Sequence, residues 1–519
     1  MSDRTQRPDT ILVLDFGSQY THLIARRVRE QKVYSEVVAH DTTVEEIKSK
    51  ATDMNVKGLV FSGGPSSVYS PDAPSCDMRI LEMALPILGI CYGHQLIAKR
   101  ALGKVRPGKK NEYGITYVSV DRPVGILKGM SKTERVWMSH RDIVTELPEE
   151  YETLAHSDNC PVAAFQCKLR PIYGIQWHPE VAHTEKGTLT LRNFIFEVCK
   201  CTPNWMVEDC IEKAIREVKN TVGQARAIVA LSGGVDSGVA AAIASKAIGR
   251  NLSAVLVDHG LMRDGEPEVV KSIFSKLEMN LIVLNEKERF LKKLRKIKDP
   301  EEKRRIIGRE FMRSFERASK ALKADYLIQG TIYPDRIESG FRKHSDKIKT
   351  HHNVGGLPHT LKFKTIVEPI RDLYKDEVRL IAQQIGLPKE VWLRQPFPGP
   401  GLAVRIAGEV TPEKLEILKR ADRIVDEEVR KSGLSGKLWQ YFPVLTDTRS
   451  TGVKGDARAY GYVAAIRAVE SLDGMTASFA RLPYELLETI SSRMTNEIPE
   501  IARVVYDVTH KPPATIEWE

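Results

Sequence analysis

The chain has 519 residues, too many for one ordinary core, so about three or four domains are expected. It is 42% hydrophobic and 28% charged with a mean hydropathy of −0.29; no apolar run approaches the ~18 residues of a membrane span and the polar opening MSDRTQRPDT lacks a signal-peptide core, so neither a membrane-spanning nor a secreted protein is expected. The net charge of +10 suits phosphorylated small molecules, whereas the basic stretch 286–320 is interleaved with acids and poor in aromatics, which argues against nucleic acid.

From residue 10 to 200, short β-rich runs alternate with helical patterns. TILVLDFG (10–17), GLVFSGGP (58–65) and PILGICYG (86–93) each run apolar into a glycine turn, as buried parallel strands do at their carboxyl ends. PIYGIQWHPE (171–180) reads the same way. Gly89-Ile90-Cys91-Tyr92-Gly93 precedes the helix-like HQLIAKRAL, which makes strand, glycine-flanked nucleophile and helix, the layout of a nucleophile elbow. A helix N-terminus beneath Cys91 favours its thiolate, the form that attacks an amide carbonyl. His178 and Glu180 lie two apart on an extended segment and project to one side, His178 as base and Glu180 as its orienter. The Tyr92 amide and a glycine amide, Gly63 or Gly64 of Ser62-Gly63-Gly64, are the expected oxyanion donors. A single cysteine before a helix is more often inert, but the elbow, SGGP and HPE together favour chemistry.

This arrangement resembles the triad-type class I glutamine amidotransferase domain over about residues 10–200. The resemblance implies that Cys91 attacks the side-chain amide of L-glutamine, ammonia leaves, and water hydrolyses a glutamyl thioester; it does not identify the acceptor. All seven cysteines lie before residue 211 and form no CxxC pair, so reduced thiols in a cytoplasmic protein are expected.

Helix periodicity over 203–222 opens a second α/β alternation: strand 227–231, helix 237–248, strand 252–257, helix 266–277, strand 280–284, and a further buried strand within 324–331. Between its first strand and helix lies Ser232-Gly233-Gly234-Val235-Asp236-Ser237. The two glycines let amides turn toward a polyphosphate, the helix N-terminus adds positive charge, and Ser232, Asp236 and Ser237 supply polar groups. The lysine that a Walker loop extends to the β- and γ-phosphates is absent. The string resembles the ATP pyrophosphatase signature, which implies that pyrophosphate is the leaving group, that AMP passes to an acceptor oxygen, and that Asp236 serves Mg2+. The likeness continues through Asp258, Gly260, Arg263 and Glu266 of VLVDHGLMRDGE.

Longer strings bear on the acceptor. DPEEKRRIIGREF (299–311), IQGTIYPDRIES (328–339), IKTHHNVGGLP (348–358), EPIRDLYKDEVR (368–379), RQPFPGPGLAVRI (394–406) and YDVTHKPPATIEWE (506–519) resemble the glutamine-hydrolysing GMP synthetase family over almost the whole chain. The resemblance implies two successive doubly wound, mostly parallel α/β domains, an amidotransferase domain at 1–203 and an ATP pyrophosphatase domain at 204–403, followed by a smaller α+β dimerisation and substrate domain at 404–519. It implies adenylation of xanthosine 5′-monophosphate (XMP) by ATP and amination to GMP. Arg304, Gln440, Lys511, Ile516 and Glu517 are the expected XMP contacts, with TIEWE a buried functional tail and Lys349 on a basic lid over the adenylate. A homodimer without nucleic acid is expected. Arg141, Thr451 and Lys454 depart from the family pattern. The competing readings are another amide-forming ATP pyrophosphatase, a group that lacks this amidotransferase domain and the KPPATIEWE tail, or a tRNA-modifying enzyme, for whose sulfur relay the cysteines after Cys91 offer no partner pattern.

Overall fold

The computed structural model describes residues 7–335, 363–454, 457–471, 474 and 477–519. Lys349 and the rest of the expected lid lie outside these residues. The chain divides into two compact units, Met1–Met206 and Val207–Glu519.

The first unit is built on one nine-stranded sheet. Strands β1 (Asp9–Asp15), β2 (Tyr34–Ala39), β3 (Asn55–Phe61), β4 (Ile87–Ile90) and β9 (Ile172–Ile175) form its parallel part, in the order β2-β1-β3-β4-β9. These are the apolar runs that end in glycine turns. They read as continuous hydrophobics because both faces are covered: Ile11, Leu12, Val13 and Leu14 are all fully buried. Beyond β9 the sheet turns antiparallel through β8 (Ala164–Cys167) and β7 (Tyr151–His156) to a long hairpin of β5 (Lys104–Val120) and β6 (Thr133–Glu146). The helix expected from 203 begins only at Val207, because the preceding segment is clipped to β1: the Thr202 amide donates to Asp9 Oδ2 (2.7 Å) and the Asp9 amide to Asn204 Oδ1 (3.1 Å).

The second unit holds two sheets. The first is fully parallel, in the order β12-β11-β10-β13-β14, from β10 (Ala227–Leu231), β11 (Leu252–Asp258), β12 (Asn280–Asn285), β13 (Tyr326–Ile328) and β14 (Thr365–Val367). Its strand order reverses about β10, so the crevice at the carboxyl end of β10 is where such folds take ligands. The second is a long antiparallel hairpin of β15 (Gln440–Lys454) and β16 (Ala457–Glu470), with β17 (Ser478–Phe479) antiparallel and β18 (Ile501–Tyr506) parallel to β16. Helices Pro412–Lys431 and Tyr484–Glu497 accompany it. One apolar cluster runs from Ile228 and Val255 through Leu402 and Ile424 to Ile466 and Ile501, so both sheets share a core. Among the described residues no helix is long and apolar enough to cross a membrane, and none of the seven cysteines is in a disulfide.

Candidate functional site

The apolar run of β4 delivers Cys91 to the N-cap of helix Tyr92–Arg100 with φ 53°, a left-handed backbone that a cysteine adopts only under constraint. Two flanking glycines make the turn possible. A Cβ on Gly89 would lie 2.6 Å from the Gly93 main chain, and one on Gly93 would lie 2.5 Å from the Phe61 carbonyl oxygen. The helix thus starts pressed against β3, with the Gly93 amide donating to the Ser62 carbonyl (3.1 Å).

His178 follows β9. Its amide donates to the Trp137 carbonyl (3.0 Å), and the His178 carbonyl accepts from Thr184 Oγ1 (2.6 Å), which fixes the backbone. Its Nδ1 lies 2.7 Å from Glu180 Oε1, and both side chains are buried. Burial opposes a charge on this imidazole, but the Glu180 carboxylate and the Cys91 sulfur outweigh it and raise the group to about 10. These neighbours favour the protonated imidazole more than in an ordinary histidine. A Cβ built on Gly63 would be 3.1 Å from His178 Cε1 and 3.6 Å from Cys91 Cβ; one on Gly64 would instead strike the Phe16 carbonyl oxygen at 2.6 Å. Of the two glycines, Gly63 borders the nucleophile directly. Tyr92, the first residue of its helix, has an amide without an intrahelical acceptor, as first-turn amides do.

In the second unit, Leu231 ends β10 and Gly234 caps helix Val235–Ile248. Ser232 Oγ and Ser237 Oγ are 3.0 Å apart, and the Gly234 amide donates to Ser232 Oγ (3.3 Å), which holds the turn open toward the surface. Gly233 has φ +75°, and a Cβ there would meet Arg394 Nη1 at 2.8 Å. Val235 is buried beneath. Asp236 forms an ion pair with Lys375 through Oδ2, while its Oδ1 is buried with no hydrogen-bond partner among the described residues. Asp258, at the end of β11, accepts from the Gly260 amide (3.1 Å) and lies 3.1 Å from Lys287 Nζ.

The segment 515–519 is pinned at several points but is half-buried, with Thr515 and Trp518 exposed, rather than the buried tail expected from sequence. Glu517 accepts two bonds from Arg405, Nε to Oε2 (3.1 Å) and Nη2 to Oε1 (2.9 Å), and a third from Gln440 Nε2 (2.7 Å). Ile516 packs against Phe442, Val444 and Ala465. Arg304 donates to the main-chain oxygen of Glu519. Lys511 Nζ donates to the Gly474 carbonyl (2.6 Å). The structure thus draws Gln440 to Glu517 and places Arg304 at the same segment.

Several residues at these sites carry no local signature. Tyr20 meets the His178 ring edge-on, centroids 5.1 Å apart and planes 69° from parallel, and Arg27 Nε donates to the Glu180 carbonyl (2.9 Å). Arg394 Nη1 donates to the Gly233 carbonyl (2.6 Å) and pairs with Glu266. Lys375, Arg394 and Arg405 lie inside strings that marked the family resemblance, but their roles emerge only from contacts across the fold. Of the departures, Arg141 Nε donates to Tyr113 Oη (2.9 Å) on the β5–β6 hairpin, Thr451 sits opposite Tyr460 on β15–β16, and the Lys454 side chain lies outside the described residues.

Three family models match in succession: glutamine amidotransferase class-I at residues 12–198, the PP-loop domain at 207–387, and the GMP synthase C terminal domain at 427–518. Full-length relatives agree. A Caldicellulosiruptor saccharolyticus protein named GMP synthase [glutamine-hydrolyzing] is 52% identical over 98% of this chain and 99% of its own length. Proteins of the same name from Symbiobacterium thermophilum and Bacillus cytotoxicus are 51% and 50% identical, covering 99% and 98% of this chain and 100% and 99% of their own lengths.

Proposed function

This chain belongs to the family of glutamine-hydrolysing GMP synthases, and from that premise we propose that its two Ser-Gly-Gly turns serve the two halves of one reaction: ammonia release from glutamine and ATP-driven activation of XMP for amination to GMP. The observation that carries this reading is Cys91 on an elbow with Gly63 bordering both it and the Glu180-paired His178, in the same chain as a lysine-less phosphate loop.

In the first half, Cys91 gives its proton to His178 as its sulfur attacks, so the nucleophile is a thiolate beside an imidazolium. The thiolate sulfur bonds to the glutamine amide carbon. Charge then develops on the amide oxygen, toward the Tyr92 and Gly63 amides. His178 passes its proton to the departing nitrogen, which leaves as ammonia. Water, deprotonated by His178, cleaves the thioester to glutamate. Glu180 keeps the imidazole oriented throughout, and the Tyr20 ring shields it from water.

In the second half, an XMP oxygen attacks the α-phosphate of ATP and pyrophosphate departs. The Gly233 and Gly234 amides, the Ser232 and Ser237 hydroxyls and the helix N-terminus hold that leaving group, with Lys375 as a counter-charge at Asp236. Asp258 borders the adenylate. The donor set also fits Mg2+, since one carboxylate plus phosphate oxygens is its usual environment and Asp236 Oδ1 is buried with no partner among the described residues; when bound, Mg2+ would neutralise phosphate charge. Ammonia displaces AMP to give GMP. Glu517 and Gln440 read the purine edge, Arg304 and Lys511 face the phosphate, and Ile516 packs on the base. We assign these steps to segments 1–203, 204–403 and 404–519. The last also suits pairing of two copies, through the exposed Val453 and Tyr460 of the β15–β16 hairpin. The enzyme is read as cytoplasmic and without a nucleic-acid partner.

The test is to incubate the protein with XMP, ATP, Mg2+ and glutamine and to separate the products. GMP, AMP and pyrophosphate in equal amounts are expected. ADP and inorganic phosphate would overturn the adenylation step.

A further inference from the structure

We propose that Lys303 and Glu519 form a latch that positions Glu517 for XMP; the proposal rests on the reading that Glu517 recognises XMP. Lys303, in the first turn of helix Pro300–Leu322, is 0% exposed, a rare state for an ammonium group. Its Nζ has three acceptors: the Ile406 carbonyl (2.7 Å), the Ala403 carbonyl (3.3 Å) and Glu519 Oε2. Three protons meet three acceptors, and the only negative one is Glu519. The other oxygen of that carboxylate, Oε1, accepts from the Gly408 amide (3.2 Å).

The two carbonyls matter because of what their segment carries. Arg405, which grips Glu517 with two hydrogen bonds, lies between Ala403 and Ile406. Glu517 and Glu519 alternate along their segment, with Trp518 between them exposed and donating to Asp507 Oδ2 (2.9 Å). One buried ammonium thus ties the segment that bears Arg405 to the segment that bears Glu517. Without the Glu519 carboxylate the lysine is a buried, uncompensated charge, and the two segments lose their common tie. Lys303 and Glu519 are positioning residues; neither reaches the reacting atoms in this reading.

The test uses the full chain with ammonium as nitrogen donor, so the glutaminase step is bypassed. Glu519→Ala is expected to raise KM for XMP by about tenfold or more, the usual scale for breaking a buried charge pair, while KM for ATP stays within about twofold. Glu519→Gln, which keeps one acceptor, should fall between. Lys303→Met combined with Glu519→Gln should be less impaired than the product of the two single effects, since the pair acts as a unit. An unchanged KM for XMP in Glu519→Ala, effects that simply multiply, or equal rises in both KM values would each overturn the latch. Glu517→Gln separates the premise: if it leaves KM for XMP unchanged, the reading of Glu517 fails rather than the latch.

Discussion

The chain uses Ser-Gly-Gly twice, and the two turns need glycine for opposite reasons. At Ser62-Gly63-Gly64 the serine is fully buried and satisfied internally, accepting from the Phe16 amide (2.9 Å) and donating to the Gly63 carbonyl (2.8 Å). A side chain on Gly64 would strike the Phe16 backbone at 2.6 Å, so the protein itself excludes it. At Ser232-Gly233-Gly234 the serine is exposed, and a Cβ on Gly234 would meet only Ser232 Oγ, at 3.3 Å. No other described residue occupies that space. A closed turn that shapes an oxyanion site and an open turn that leaves room for phosphate share a sequence, and only their surroundings tell them apart.

The sharpest way to break this division of labour is to remove one chemistry at a time. Cys91→Ala should reduce glutamine-dependent GMP formation by about 10⁴-fold or more, the scale of losing a nucleophile, while synthesis from concentrated ammonium persists. Asp236→Ala should lose both, because activation of XMP precedes amination from either source. Measuring both nitrogen donors for each variant checks this. A Cys91→Ala protein that folds but makes no GMP from ammonium would show the sites are not separable.

Next in size is a cost in folding. Gly64→Ala should destabilise the first unit by about 2 kcal/mol or more, because the obstacle is backbone rather than the end of a flexible side chain. Thermal unfolding reads this directly; an unchanged melting temperature would mean the 2.6 Å approach to Phe16 relaxes freely.

The two turns also show what the sequence could convey. Strand–turn–helix units are local: an apolar run, a glycine and a periodic helix sit within twenty residues. The strand read at 227–231 is β10 to the residue, and the helix read from 237 begins at Val235 only because Gly234 already serves as its cap. The elbow was legible for the same reason. The β5–β6 hairpin was not, since Pro107, Gly108 and Gly114 interrupt a lysine-rich stretch that resembles no strand pattern. Nor were the residues that hold the sites in shape: Lys375 is 139 positions from Asp236, Arg394 161 from Gly233, and Arg405 112 from Glu517. Such pairs follow from topology, and local pattern contains no trace of it.

A subtler test concerns charge at the closed site. The folded pKa of His178, about 10, lies above its ordinary 6.5, so its pairing stabilises the fold fully below pH 6.5 and is lost as pH rises toward 10. Glu180→Gln removes the largest attraction, so its histidine should titrate lower and its stability should change less between these limits. Histidine-resolved NMR titration checks both the position and the assignment. An imidazole that titrates near 6.5 in the unaltered protein would remove the thiolate–imidazolium pair from the mechanism.

The smallest effect on the fold is expected at the open turn, and there the comparison is most exposed to failure. Gly234 has φ −79° and ψ 159°, a conformation open to any residue. Gly234→Ala loses some capping preference but gains from a less flexible unfolded chain, so stability should stay within about 1 kcal/mol of the original. The added methyl would instead project into the space left for phosphate, where close backbone approach requires glycine. The expected signature is an unchanged melting temperature, an intact glutaminase, and a raised KM for ATP with ammonium as donor. Gly64→Ala should show the reverse pattern, a fold defect in the first unit with ATP use unaffected. If Gly234→Ala instead unfolds the second unit while ATP binding survives, both turns are structural, and the space at Gly234 is not there for a ligand.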